Sequence, residues 1–170
     1  MSVRKVWLVA VVACAVILAV GPVSQATASA SGGLGLSVQR EKANIAVFDP
    51  HAHWAKPVKT GSITDYDGTG DGGRASYDLA TLGGALYEVE GTIQSSTEAQ
   101  GVKLGEIQDA LTVPFAGKRE VAWFDNQVQL VQAGAQPKAT KVFGNVRVGL
   151  GFTVTGSAVV LNVSVLPTNV

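Results

Sequence analysis

Cysteine occurs once, at Cys14, and histidine twice, at His51 and His53. One cysteine leaves no intrachain disulfide framework and no cysteine-built metal cluster. Both histidines sit in one short stretch, so a site needing histidines from distant parts of the chain is excluded. Charge is sparse and balanced, 13 basic against 13 acidic residues in 170, and no basic run occurs. That argues against a nucleic-acid or anionic-lipid surface. Long apolar runs are missing too: the longest uncharged one, Val6 to Val20, has 15 residues, whereas a bilayer span takes about 20. No permanent membrane span is expected.

What is present begins with Arg4 and Lys5 before that run, followed by Gly21, Pro22 and small residues. This is the layout of a signal peptide over residues 1–30, with A-x-A cuts after Ala28 or Ala30. A secreted or cell-surface location follows as an expectation. Val11-Val12-Ala13-Cys14 resembles a bacterial lipobox, which implies a lipidated cysteine, but the apolar run continues past it to Val20. Cleavage at residue 30 leaves 140 residues, enough for one domain with a core. It also removes Cys14, Arg4 and Lys5, so 11 basic residues face 13 acidic ones.

The mature chain reads as strands. Val146, Val148, Leu150, Phe152 and Val154 alternate with polar or small residues at period two, the mark of a half-buried strand. Gly156-Ser157 fits a type II′ turn, and folding there sets Val154, Phe152, Leu150 and Val148 against Val159, Leu161, Val163 and Val165. The same reasoning predicts a hairpin over Arg119 to Gln132 about Asp125-Asn126, with Trp123 facing Val128. Gly83-Gly84 reads as a turn between Arg74–Leu82 and Ala85–Ile93, where simple pairing mismatches Asp78 with Val89 and calls for a bulge or a longer, non-hairpin link. Leu34, Leu36 and Val38 alternate, and Ile45 and Val47 resume on the opposite parity, as two strand pieces. Ser95 to Gly101 reads as a polar loop, Gly105 to Leu111 has helical spacing, and Ala133 to Lys141 reads as a linker. Seven to nine short strands point to an all-β fold, an antiparallel β-sandwich or jelly roll, with a small closed barrel as the alternative.

Three stretches could carry chemistry. In Phe48 to Trp54, FDPHAHW, His51 and His53 are candidate zinc ligands at H-x-H spacing. With Asp49 they resemble the D-x-H-x-H strand of the amidohydrolase family, which implies a metal-dependent hydrolase; the further histidines of that family have no counterpart here. In DYDGTGDGG, Asp65, Asp67, Thr69 and Asp71 are candidate calcium ligands. They resemble positions one, three, five and seven of the EF-hand loop, with Gly70 at the turn and Ser76 where the bidentate glutamate belongs. Glu88 and Glu90, on one face of a strand, are spaced as a glycosidase pair could be.

No nucleophile elbow or phosphate-binding loop accompanies these. The first functional reading is a non-enzymatic structural or surface-assembly protein that self-associates. Its layout resembles that of donor-strand filament subunits such as chaperone-usher pilins and camelysin-type proteins, which implies polymerisation by strand addition through Leu34, Leu36 and Val38. The alternative is an extracellular binding module, calcium-assisted, for carbohydrate, protein or a small apolar ligand. A small metal-dependent hydrolase is the third reading.

Overall fold

The computed structural model describes residues 32–135 and 137–169. The expected signal peptide, with Cys14, lies outside the described residues. Within them the chain is mainly antiparallel sheet: eight strands and three α-helices.

The strands are β1 (His53–Trp54), β2 (Val58–Thr60), β3 (Ile63–Gly70), β4 (Ala75–Leu82), β5 (Ala85–Ser95), β6 (Lys138–Phe143), β7 (Val146–Thr155) and β8 (Ala158–Pro167). Two meanders, β3-β4-β5 and β6-β7-β8, meet where β5 pairs with β8. The glycine turns set the hairpins. Gly156 has φ 64 at the β7–β8 turn, and Gly83 and Gly84 have φ 61 and 89 at the β4–β5 turn, values that only glycine adopts without strain. The expected register of β7 with β8 is the observed one, Leu150 against Val163 and Phe152 against Leu161. The β4–β5 mismatch is resolved by a bulge between Ala80 and Thr81, which brings Leu79 opposite Val89 and Asp78 opposite Glu90.

The sandwich is where the expectation fails. All eight strands belong to one sheet, and helices occupy the place of a second sheet. The sheet is open among the described residues, with β1 and β6 at its ends, so the closed barrel does not form either. One face carries Leu79, Val89, Ile93, Val148, Leu161 and Val165, all buried. Helix α2 (Glu98–Ala116) lies across that face on β5, β7 and β8; α1 (Val38–Phe48) packs on α2, and α3 (Arg119–Gln132) packs on α2 and β6. At Gly91 there is no room for a side chain, because any Cβ would overlap Leu111 of α2.

Each helix corrects a sequence expectation. The strand pieces at Leu34–Val38 and Ile45–Val47 give way to α1, capped by Ser37, whose hydroxyl accepts from the Arg40 N–H. The hairpin at Arg119–Gln132 is α3, and Asp125-Asn126 lies mid-helix. The helix foreseen at Gly105–Leu111 runs over Glu98–Ala116, starting from the Thr97 cap inside the expected polar loop. The linker at 133–141 already contains the start of β6.

The cause is the same in both misread helices. The inward stripe of α1 is Val38, Glu41, Ile45, and that of α3 is Glu120, Phe124, Gln127, Val128, Val131. Both have helical period, but polar members interrupt the apolar signal. Glu120 is fully buried and accepts from Gln108 Nε2 and Thr112 Oγ1 of α2, each at 2.8 Å, which satisfies the carboxyl where α2 and α3 meet. Burial pushes it up to about 7.

Candidate binding face

Among the described residues no helix packs against the second face of the sheet, and its outward side chains form ordered rows. Asp67, Asp78 and Glu90 stand directly opposite one another on β3, β4 and β5. Their row continues through Ser164, Gly149 and Thr140. The adjacent row starts with His53 opposite Thr69 on β1 and β3 and ends with Gly151 opposite Lys138 on β7 and β6. On the other side Asp65 and Glu88 flank Ala80. Five carboxylates thus gather over three strands that contain no lysine or arginine. Lys138 and Arg147 stand at the opposite end of the face.

The crowding has an electrostatic signature. Partial burial, then the charges of Asp67, Asp65 and Glu90, holds the Asp78 carboxyl above its ordinary range. Glu88 is raised by burial and by Glu90 and Asp78. Like charges directly across a ladder oppose folding by up to roughly 1 kcal/mol per pair, so this row is not there for stability.

Beside the acidic row lies a shallow trough of about 330 Å³, walled by Glu90 and Lys138 and floored by Gly149, Gly151, Asn162 and Ser164. The small residues make it. A Cβ at Gly149 would sit 2.6 Å from Ser164 Oγ, whereas one at Gly151 would meet Lys138 Cγ at 4.0 Å. Thr92 Oγ1 donates to Asn162 Oδ1 at 3.0 Å, fixing one side.

The sequence candidates distribute unevenly. Asp65, Asp67 and Thr69 reach this face, but as alternate residues of an extended strand rather than a loop wrapped around an ion. Gly70, expected at a sharp turn, is extended at φ −156 and ψ −172; glycine is needed there because a Cβ would overlap Asp49 Oδ2. Asp71 turns away to Arg74, bound at 3.0 and 3.1 Å. His53 is at the rim in β1, while His51 precedes it in an exposed turn. Among the described residues no three histidine, cysteine or acidic side chains converge as a metal-holding group.

Asp49, read as part of the histidine motif, is instead a buried clamp. It accepts from the Tyr77 hydroxyl at 2.7 Å and from the Asp71 N–H at 2.9 Å, tying the end of α1 to the β3–β4 turn. Tyr77 is raised by burial and by that carboxylate. Leu34 and Val38 are buried in the core, Leu36 packs against it, and the Leu34 N–H donates to the Leu86 carbonyl at 2.7 Å. The segment expected to leave the domain is therefore part of it.

Asp78, Gly149, Asn162 and Lys138 were not foreseen as one site. Their signal was the run of polar and small residues on the outward parity of β4, β7 and β8, which shows a solvent face but not which strands adjoin. No known protein family, curated protein or solved structure matches this chain.

Proposed function

We propose that this chain is an exported, non-enzymatic binding module that engages a cationic partner through the uncovered face of its sheet. The observation that carries the reading is the Asp67–Asp78–Glu90 row, three carboxylates in register with no cation among them. A positively charged partner removes the repulsion and adds charge-assisted contacts. The trough between Glu90 and Lys138 supplies shape next to the charge. Export rests on the sequence of residues 1–30. The face supports binding better than hydrolysis, because its polar groups are spread along rows instead of converging on one reacting atom.

The test is binding of the full chain, purified from an exporting host, to an immobilised lysine-rich peptide. A glutamate-rich peptide and calcium chloride serve as comparison arms. Binding of the basic peptide that weakens with salt, and falls at least tenfold in the Asp78→Asn, Glu90→Gln double variant, is the expected result. Equal affinity of wild type and variant overturns the reading. Binding of calcium alone, abolished by the same variant, replaces the partner by an ion.

A further inference from the structure

The sheet ends in β6, and the geometry of that edge specifies what it can pair with. The β6–β7 register sums to a constant, Lys138 with Gly151 through Phe143 with Val146. The Phe152 N–H donates to the Pro137 carbonyl at 3.0 Å, so Pro137 with Phe152 is a hydrogen-bonded pair. Hydrogen-bonded pairs alternate along an antiparallel ladder. It follows that Ala139, Lys141 and Phe143 turn their main-chain groups toward β7, while Lys138, Thr140 and Val142 turn theirs outward. Among the described residues no strand pairs with that side. Lys138, Thr140 and Val142 are exposed, Val142 to 54%.

We infer that β6 is a homotypic interface: a second copy of the chain pairs antiparallel along it about a two-fold axis through Thr140, continuing one sheet into the next. The register meets three conditions. Outward-turned main-chain groups must meet, so Lys138, Thr140 and Val142 face Val142, Thr140 and Lys138 of the second copy and exchange about six N–H···O bonds. Helices must stay on one side of the joint sheet, which holds because each facing pair has matching parity. Like charges must not oppose. Centring the axis on Thr140 places each Lys138 against Val142 and each Lys141 against Ala139. Centring it on Lys141 would set the two Lys141 side chains against each other.

Side-chain chemistry agrees with the chosen register. Val142, exposed in the monomer, is covered by the aliphatic stem of the opposing Lys138, and Thr140 meets Thr140 as a cross-strand pair. Edge lysines ordinarily discourage indiscriminate strand pairing; here their offset keeps this alignment free of opposed lysines. The joined sheets present both outer faces on one side, so the two acidic rows and troughs become a bivalent surface.

The experiment is sedimentation equilibrium of the full chain over a wide concentration range, with two substitutions at an exposed position. Wild type is expected to be a reversible dimer. Val142→Lys sets two ammonium groups opposite each other and is expected to weaken the dimer at least tenfold. Val142→Glu sets a carboxylate against Lys138 and is expected to tighten it, an advantage lost in high salt. Thr140→Pro removes the central outward N–H while leaving the β7 ladder intact and is expected to give a monomer with unchanged circular dichroism. A wild type that stays monomeric throughout overturns the inference, as does a dimer whose affinity is the same in Val142→Lys and Val142→Glu. Peptide binding by the outer face can fail with the dimer intact, and the reverse, so the two readings are separable.

Discussion

Replacing Glu41 by glutamine should remove most of one pH-dependent component of stability. Glu41 lies between Val38 and Ile45 on the inward side of α1 and is completely buried. Asn44 Nδ2 donates to its Oε2 at 3.0 Å, but Oε1 has no hydrogen-bond partner. Burial, partly opposed by the Asn44 bond, pushes the carboxyl up from 4.5 to about 8. The folded chain therefore holds a proton that the unfolded chain releases once pH exceeds 4.5. The associated stability is fully present below 4.5 and is lost as pH rises toward 8.

At about 1.4 kcal/mol per pH unit, moving from pH 5 to pH 7 costs about 3 kcal/mol through this residue alone. The amide in Glu41→Gln has no such proton to hold. Its unpaired N–H group carries a penalty, but one independent of pH. Urea unfolding of wild type and variant at several pH values reads the difference. The gap between their midpoints should shift in favour of the variant by roughly 1.5 M from pH 5 to pH 7, for a slope of about 2 kcal/mol per molar. Glu120 and Asp109, raised to about 7 and about 6, titrate in the same window in both proteins and cancel in the comparison. A gap that stays constant with pH would refute the reasoning.

Two further substitutions test the architecture. Asp49→Ala leaves the buried Tyr77 hydroxyl and the Asp71 N–H without their acceptor and should cost about 2–3 kcal/mol in chemical denaturation. In the milder Asp49→Asn, ionisation of Tyr77, followed by its ultraviolet absorbance, should move to lower pH, because the charge that raises it is gone. Gly91→Ala places a methyl group against Leu111 and should destabilise by about 1–3 kcal/mol, seen as a lower thermal midpoint.

How much of this was legible in the sequence depended on whether a local rule was sufficient. Gly156-Ser157 determines its hairpin by itself, and once the turn is placed, the alternation of Phe152 and Leu161 admits one register. The irregularity between β4 and β5 was readable, because Asp78 could not sensibly face Val89, but whether a bulge or a longer link resolves it was not. The helices were hidden where a buried polar residue stood in the stripe: Glu41, Glu120 and Gln127 look like solvent positions until their surroundings are known. Strand β6 was hidden for a related reason, since an edge strand with Lys138 and Lys141 lacks the apolar alternation of a central one. For the binding face, Asp65 and Asp67 were noticed individually. Their alignment with Asp78 and Glu90 depends on the pairing of β3 with β4, which no turn rule supplies, because the two strands are joined through the irregular Asp71–Gly73 segment.

The pairing of β5 with β8 also has a consequence in time. β8 is the last strand among the described residues, yet it closes the middle of the sheet. A chain emerging from its N-terminus can assemble β3, β4 and β5, but the long flank of β5 waits unpaired until β8 is made, a contact of high sequence separation that slows folding. A chain cut short before residue 158 is left with that flank of β5 open.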